Sequence, residues 1–186
     1  MDRGIGLHCT VNQLIMKIIE IKYKNEIKEC FIDDEDFDLI NQYFWFYCHG
    51  YVYGFLKGIK KPYRMTFIHR VIMGLERGNK IQVDHKDHNG LNNQKINLRY
   101  STQQQNCWNV SPNKNGTSKY LGVTKKRNRK KCKDGYHYYG IRYIPKIRIK
   151  NKTKYLGSYL TEEVAAKIYD KVASLLYGEF ANLNFK

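Results

Sequence analysis

The chain has 186 residues, 16 of them tyrosine, with few prolines, and this composition excludes a disordered protein. Its net charge of +16 predicts a polyanionic partner, with nucleic acid ahead of an anionic membrane surface. The excess charge is uneven, because residues 1–68 carry no net charge, residues 69–110 carry +3 and residues 111–186 carry +13. A basic last third favours a docking face over a uniformly charged, solubilising surface.

The five cysteines are scattered, odd in number and without a C-x-x-C pair. This pattern argues against a zinc ribbon and a disulfide framework, and predicts an intracellular, reducing compartment. The early apolar run at residues 14–19 is six residues long and contains Lys17, so neither a signal peptide nor a membrane span is predicted there. No structural zinc and no membrane partner are expected.

Residues 1–68 are predicted to form a neutral β-rich module. The segment MKIIEIKY is rich in β-branched residues, and an acidic run at 33–38 marks a turn or helix start. The aromatic run at 39–56 suits two paired strands with a turn at His49 and Gly50. Stacking of these aromatic rings on bases is the alternative to core packing, which we favour.

Residues 69–110 are predicted to follow the order strand, polar loop, strand, helix. The apolar segment 67–73 is a buried strand or short helix that ends at Gly74, and residues 81–83 begin a strand. The polar stretch VDHKDHNGLNN follows, and residues 97–100 form the second strand. The helix begins with Ser101 as N-cap and Gln104 as its capping-box partner, and extends to about Asn109.

Asp84 and His85 at the end of the first of these strands are candidates for phosphodiester cleavage. That reaction needs a base that takes a proton from water and a metal ion that neutralises charge on the phosphate. Asn106, on the predicted helix, offers a neutral oxygen ligand that suits Mg²⁺ or Mn²⁺ better than zinc. Asn97 can tie the polar loop across by side-chain hydrogen bonds.

Other interpretations of the polar stretch are weaker. An EF-hand is excluded, because the stretch lacks the required acids and the closing glutamate. A zinc site of aspartates and histidines and a merely solvated turn remain open. His69 is either a phosphate contact or a hydrogen-bonded core residue, and Arg99 either holds a phosphate oxygen or pairs with Asp87. The residues predicted only to shape the turn are Asp87, His88, Asn92 and Asn93.

The spacing of Asp84-His85, Asn97 and Asn106, framed by His69-Arg70 and NLRYST, resembles the HNH endonuclease motif with its ββα-metal fold. It is most similar to the phage and intron-encoded branch, in which the last histidine is often asparagine. The resemblance covers about residues 69–109. It implies that His85 is the general base, that Asp84 and Asn106 bind one Mg²⁺ or Mn²⁺ ion, and that Asn97 positions the loop.

Residues 111–119 read as a linker, and residues 120–186 as a three-stranded meander followed by a helix. The strands are joined first by a basic turn at 125–135. Thr161 is the predicted helix N-cap and Gly178 closes the helix. The apolar stripe of this helix is predicted to consist of Ala165, Ile168, Val172 and Leu175.

The predicted C-terminal sheet carries a basic face. Between residues 111 and 154 there are 15 lysines and arginines and a single acid, Asp134. A sheet of this kind can enter the major groove of DNA, although charge alone does not exclude RNA or a solvated face. The residues predicted to share the DNA-binding face are Lys125, Lys126, Arg127, Arg142, Lys146, Arg148, Lys154 and Tyr155.

A second resemblance, over about residues 120–185, is to the Apetala/ethylene-response-factor DNA-binding domain. The similar segments are YLGV, KIR, YLGSY, EEVAA, AAKIYD and ANLNF. The resemblance implies a sheet that reads the major groove, with Arg148 and Tyr155 at DNA-contacting positions. Thr124 stands where that family has arginine, so its target sequence is not carried over to this chain.

The predicted protein is therefore of the α+β class. It has a β-rich N-terminal module, a ββα-metal nuclease core and a C-terminal three-stranded antiparallel sheet packed on one helix. The predicted function is metal-dependent nicking of double-stranded DNA by a monomer or weak dimer, as in mobile-element homing endonucleases. The alternatives are a DNA-binding regulator with a decayed HNH fold and a structural or RNA-binding protein.

Overall fold

The structure, a computed structural model, describes residues 16–59, 65–112, 115–150 and 152–185. The chain divides into two compact units, Met1–Tyr100 and Ser101–Lys186. Small antiparallel sheets mixed with mostly short helices agree with the predicted α+β class. These two units are defined by packing contacts, whereas the predicted domain boundaries after residues 68, 110 and 119 divide the chain by function and stay predictions.

The first unit begins with a two-stranded hairpin. Strands β1 (Met16–Tyr23) and β2 (Glu26–Asp33) pair in an unbroken antiparallel register. The acidic run that follows forms a 3₁₀ turn at Asp34–Asp36 and a short helix α1 at Phe37–Ile40, as the sequence predicted.

The aromatic run forms strands β3 (Tyr43–Cys48) and β4 (Tyr51–Leu56). The predicted turn at His49 and Gly50 is confirmed, since both residues have positive φ angles of 49° and 89°. Two consecutive residues with positive φ suit the tight turn of a right-twisted hairpin. A short strand β5 (Thr66–Phe67) adds to β4 and completes this sheet.

The apolar segment 67–73 was predicted to be a buried strand or a short helix, and most of it forms the short helix α2 (Ile68–Ile72). Gly74 follows this helix with a φ of 64°. Strands β6 (Gln82–His85) and β7 (Leu98–Ser101) form a separate two-stranded sheet, which confirms the predicted pair. The polar loop lies between these two strands.

One hydrophobic core joins the N-terminal strands to the segment that carries Asp84 and His85. Its members come from β1, β2, α1, β4, α2, β6 and β7. The polar loop is therefore mounted on a scaffold that includes both N-terminal hairpins. The buried residues of this core are Ile21, Cys30, Ile32, Ile40, Val52, Ile68, Ile72, Val83 and Leu98.

The second unit begins with helix α3 (Gln103–Asn106), whose cap differs from the prediction by one residue. Thr102, not Ser101, is the N-cap, and its hydroxyl accepts a hydrogen bond from the backbone of Gln105. The side-chain oxygen Oε1 of Gln105 accepts a hydrogen bond from the backbone amide of Thr102. Ser101 belongs instead to the end of β7 and is buried, so strand pairing takes precedence over its capping propensity.

Three antiparallel strands follow in the spatial order β10-β9-β8: β8 (Val123–Cys132), β9 (Gly135–Ile149) and β10 (Lys152–Tyr155). The predicted meander is thus confirmed, but the predicted basic turn at residues 125–135 is wrong. Most of that segment is strand, and it pairs with β9 up to Cys132 and Gly135. Like-charged side chains are tolerated there because they project into solvent.

Helix α4 (Glu162–Tyr177) packs on β8 and β9 and ends at Gly178, as predicted. The predicted apolar stripe is wrong in part, since Ala165 is buried but Leu175 is 79 % exposed. Tyrosines cover the sheet where aliphatic residues were expected. The buried face consists of Ala165, Ala166, Tyr169, Asp170, Ala173 and Tyr177. Among the described residues, no helix is long and apolar enough to cross a membrane.

Candidate active site and basic surface

Asp84 and His85 are the last two residues of β6, and each is only 5 % exposed. Adjacent residues on a strand project to opposite sides, so the two side chains enter different surroundings. His85 lies edge-to-face with His69, with ring centroids 5.0 Å apart, and beside Tyr51 at 5.9 Å. Asp84 is held by Arg99. The candidate pair is therefore ordered by separate contacts.

The ring of His85 is oriented by Asn93, a fully buried residue at the end of the polar loop. The Nδ2 group of Asn93 donates to the carbonyl oxygen of Gly90 at 3.1 Å, an atom that can only accept. Oδ1 of Asn93 therefore faces Nε2 of His85, 3.1 Å away, and Nε2 must be the donor. In the neutral ring this tautomer leaves the acceptor lone pair on Nδ1.

Burial keeps both imidazole rings neutral. It lowers the pKa of His85, although the hydrogen bond to Asn93 and the charges of Asp87 and Asp84 act in the other direction. Burial, together with His85 and Arg70, lowers the pKa of His69 to about 3. A neutral imidazole is the form that can accept a proton, so His85 has the protonation state that a general base requires at neutral pH.

Asp84 is paired with Arg99, a pairing that the sequence did not predict. Both Nε and Nη2 of Arg99 donate to Oδ2 of Asp84, at 2.9 Å and 2.6 Å. The two side chains are largely buried, so this charge pair is weakly screened by solvent. The predicted pairing of Arg99 with Asp87 is wrong, because Asp87 is held by asparagines.

Asn97 ties the polar loop across in the way that its position predicted. Its Nδ2 donates to Oδ1 of Asp87 at 2.9 Å and to the carbonyl of Asn92 at 2.8 Å. Its Oδ1 accepts from the backbone of Asp87 at 3.1 Å. Burial disfavours the charge of Asp87, but hydrogen bonds from Asn89, Asn92 and Asn97 outweigh it and lower the pKa of this carboxyl.

The N-terminal hairpin holds the other end of the loop. Phe31 in β2 pairs with this segment, donating to the carbonyl of Leu91 at 2.8 Å and accepting from the amide of Asn93 at 2.7 Å. The Asp33 carboxylate accepts from the Lys95 amide at 2.8 Å. The orienting residue Asn93 is thus fixed by backbone contacts as well as by its side chain.

Three residues of this arrangement were missed or underrated from the sequence. Asn93 was predicted only to shape the turn, yet it orients His85 and also donates to Sγ of Cys30 at 3.3 Å. Cys30 and Asp33 lie some 60 residues earlier, so no local pattern links them to the loop. The local signal was the concentration of aspartate, asparagine and histidine in the polar stretch VDHKDHNGLNN.

The donors predicted for a metal ion have the right chemistry for a hard cation. Asp84 provides a carboxylate, and Asn106, half-buried at the last position of α3 in the second unit, provides an amide oxygen. Oxygen donors of this kind suit Mg²⁺ and Mn²⁺. Within the described ranges, no group of three or more His, Cys, Asp or Glu side chains is placed so that it could hold a metal ion.

The eight residues predicted for one basic face occupy both sides of the C-terminal sheet. Lys125 pairs with Tyr143 and Lys154 with Ile147, so these lysines lie on the side that packs towards α4. Arg127, two residues after Lys125, lies on that side too. The shared-face prediction is therefore wrong for these three. The residues on the opposite side are Lys126, Arg142, Lys146, Arg148 and Tyr155.

Comparison with known proteins places this site in a family. A family described as HNH endonuclease matches residues 66–107. A protein of Acanthamoeba polyphaga mimivirus, named uncharacterized HNH endonuclease L560, is 34 % identical over 155 residues, or 83 % of this chain and 73 % of the viral protein. No solved structure matches. The likeness to the viral protein extends well beyond the segment that contains the site.

Proposed function

Because the chain belongs to the HNH endonuclease family, we propose that it hydrolyses phosphodiester bonds of double-stranded DNA at Asp84 and His85. The observation that supports this most is the orientation of His85, whose Nε2 donates to the buried Asn93. That contact leaves a neutral imidazole with its acceptor on Nδ1. A ring held in this way can remove a proton from water.

The proposed reaction is a direct attack of water on the phosphorus. Nδ1 of His85 takes one proton from the water molecule, and the oxygen forms a bond to phosphorus. The bond from phosphorus to the 3′ oxygen breaks, and that oxygen leaves with the electron pair and takes a proton from solvent. The products are a 5′-phosphate and a 3′-hydroxyl. Asn97 maintains the loop that follows His85, through its three hydrogen bonds.

We propose that Asp84 and Asn106 hold one divalent cation, Mg²⁺ or Mn²⁺. When bound, such an ion supplies positive charge for the phosphate and the departing oxygen. The role of Asp84 is supported by its burial and by the hydrogen bonds that its Oδ2 accepts from Arg99. The role of Asn106 rests on its spacing in the sequence and on the oxygen chemistry of its amide.

His69 and Arg99 were candidates for phosphate contacts, and their present surroundings favour other roles. His69 is buried and stacks on Phe67 with ring centroids 5.2 Å apart, which suits a supporting role beside His85. Arg99 neutralises Asp84. We therefore propose that both residues act on the catalytic pair rather than on DNA.

We further propose that the C-terminal sheet binds duplex DNA, as in the Apetala-like domain that its motifs resemble. The support is the cluster of Lys126, Arg142, Lys146 and Arg148 on the side of the sheet away from α4. Lys146 also lies over the ring of Tyr155, 5.4 Å from its centroid. One nuclease site cuts one strand, so a monomer of this protein is proposed to nick. A mobile-element role inside a reducing compartment stays a prediction.

A nicking assay on supercoiled plasmid tests the function. The wild-type protein with Mg²⁺ or Mn²⁺ should convert supercoiled DNA to open circles, and EDTA should abolish the conversion. His85→Ala should lose at least about 100-fold in rate, the lower range for a general base, while DNA binding persists. His88→Asn, in the same loop, is the matched control and should cut normally, because asparagine tolerates the positive φ of this position. Normal cutting by His85→Ala would overturn the assignment.

The competing function, a DNA-binding regulator with a decayed site, predicts a different result in the same experiment. It expects salt-dependent DNA binding without any metal-dependent scission by the wild-type protein. The ordered contacts of His85, Asp84 and Asn97 favour the nuclease, since a decayed site would have no need of a buried asparagine that sets the histidine tautomer.

A further inference from the structure

The hairpin of β8 and β9 extends far beyond the part of the sheet that α4 covers. We call residues 127–141 the arm. All of them are described, and none belongs to a hydrophobic core cluster. The last pair of the sheet that reaches a core is Lys125 with Tyr143. An isolated two-stranded hairpin is marginally stable in water, so an arm of this length suggests a contact made outside the chain.

The arm is strongly cationic. It carries five lysines and arginines against one acid, Asp134. None of these cations forms an ion pair with any residue in the described ranges. Their charge is therefore not neutralised within that part of the protein. A partner with a high density of negative charge matches such a surface.

One side of the arm combines these cations with aromatic rings. Arg129 pairs with Tyr138 and Lys131 with Tyr136, and directly paired residues project to the same side of a hairpin. The guanidinium of Arg129 lies 4.3 Å from the centroid of the Tyr136 ring. Both tyrosines are exposed, at 49 % for Tyr136 and 62 % for Tyr138. The opposite side offers Lys130 and His137 instead.

The shape of the arm fits a groove of duplex DNA. The major groove admits a two-stranded β-ribbon, and basic side chains on such a ribbon reach the phosphates on its walls. The register shift between Arg127 and Arg129 marks a bulge, which increases the twist of a hairpin. Tyrosine rings next to the cations can pack on sugars and base edges without reading a sequence.

We propose that the arm is a second DNA-binding element, separate from the sheet face, with Arg129 and Lys131 on phosphates and Tyr136 and Tyr138 against the groove. The proposal rests on the proposed function only in that both take duplex DNA as the partner. It adds a contact that does not depend on the chemistry at His85.

The test compares two double variants in which equal charge is removed. The first is Arg129→Gln with Lys131→Gln in the arm, and the control is Lys22→Gln with Lys171→Gln, exposed lysines of β1 and α4. Affinity for a duplex of mixed sequence is measured as a function of salt. The arm variant should lower the slope of log K against log salt by about two, because each lost phosphate contact removes about 0.9. The control should leave the slope unchanged.

A second measurement does not depend on substitution. Trypsin can cut the exposed arm after its lysines and arginines, and duplex DNA should protect those bonds in the wild-type protein. Equal slopes for both variants, or cleavage of the arm that DNA does not slow, would overturn the proposal. The proposal would also be overturned if the arm variant kept its affinity for duplex DNA and lost affinity only for RNA in the same measurement.

The outcomes separate the arm from the nuclease function. If plasmid is never nicked but the arm variant still loses its salt slope, the arm stands and the nuclease proposal fails. If plasmid is nicked while the arm variant binds DNA like the control, the nuclease stands and the arm proposal fails.

Discussion

Oδ1 of Asn93 and Nε2 of His85 lie 3.1 Å apart in the interior of the first unit. Asn93 is fully buried, and its own amide is fixed by Gly90 and Cys30. This contact connects β2 to the proposed general base, because Cys30 belongs to that strand. The orientation of His85, the proposed general base, thus depends on Asn93 and, through Asn93, on Cys30. Cys30 lies 63 positions before Asn93 in the chain.

The first prediction concerns Asn93→Ala. Without the acceptor, the ring of His85 can rotate, and a displacement of about 1 Å in a reacting group costs about 100-fold in rate. The pKa of His85 should also fall further, because the hydrogen bond to Asn93 raises it. Single-turnover nicking measured against pH should therefore show a slower reaction whose acid limb is shifted to lower pH.

Asn92→Ala is the matched control for Asn93→Ala. Its Nδ2 donates to Asp87 at 2.8 Å, so the variant loosens the loop without removing the contact to His85. If both variants show the same rate loss and no shift of the acid limb, Asn93 has only a structural role. Thermal unfolding of the two proteins separates lost stability from lost positioning.

Local patterns predicted those parts of the molecule that local physics determines. The turn at His49 and Gly50, the strands β6 and β7, and the long helix α4 follow from turn propensity, alternation and helix boundaries. The nuclease prediction is confirmed by the family to which the chain belongs. Asp84, His85 and Asn97 could be selected because their spacing is a property of one continuous segment.

The errors came from strand pairing and packing, which the pattern of a single segment does not determine. The basic segment 125–135 was predicted to be a turn, yet most of it pairs with a strand that lies immediately beyond it and carries tyrosines. The stripe of α4 was assigned to aliphatic residues, whereas Tyr169 and Tyr177 fill the space over the sheet. Which of several polar residues orients His85 depends on β2, and sequence spacing contains no information on that contact.

A second prediction concerns Arg99→Gln. The variant leaves the carboxylate of Asp84 buried without its cationic partner, and breaking such a pair costs about 3 kcal/mol in the free energy of unfolding. Mn²⁺ should then raise the melting temperature of the variant more than that of the wild-type protein, because a bound cation stabilises the folded state and here replaces the lost charge. Thermal unfolding with and without Mn²⁺ measures both effects.

Lys17→Gln is the control for Arg99→Gln. Lys17 pairs with Asp34 at 2.7 Å, and the two side chains are 43 % and 44 % exposed, a setting in which an ion pair is worth about 0–1 kcal/mol. The control should lose little stability and gain nothing extra from Mn²⁺. A metal response in Arg99→Gln that equals the wild-type response would argue against Asp84 as a ligand.

A third prediction concerns acid stability and His69. Its folded-state pKa of about 3 lies below the usual 6.5, so the folded protein excludes a proton that the unfolded chain binds. The contribution of neutral His69 to the free energy of unfolding is fully present above pH 6.5. It is lost as the pH falls towards 3, by at most about 1.4 kcal/mol per pH unit. His69→Phe should flatten this dependence and keep the ring stack on Phe67.

Denaturant unfolding at several pH values between 7 and 4 checks the effect of His69→Phe, and circular dichroism reports the fold. His88→Asn is the control, since His88 is an exposed loop residue with a positive φ that asparagine tolerates. An unchanged slope in His69→Phe would show that another buried group, His85 included, accounts for the acid sensitivity.

A fourth prediction concerns Gly90→Ala in the polar loop. A Cβ atom at this position would lie 2.2 Å from the carbonyl oxygen of Gly50 and 2.9 Å from Cδ1 of Tyr51. Because the first neighbour is backbone, the loop itself must shift, at about 1–3 kcal/mol. The shift would displace the carbonyl that fixes Asn93. Nicking should fall more than DNA binding, and a variant with wild-type activity would mean that the loop can move without disturbing His85.

The last prediction concerns the two sides of the C-terminal sheet. Arg142→Gln with Arg148→Gln removes two charges from the side opposite α4, and Lys125→Gln with Lys154→Gln removes two from the other side. If the outward side binds phosphates, only the arginine pair should lower the salt slope of DNA binding by about two. Equal effects of the two variants would mean that net charge alone governs binding. A larger effect of the lysine pair would place DNA on the side of α4 and contradict the proposed sheet orientation.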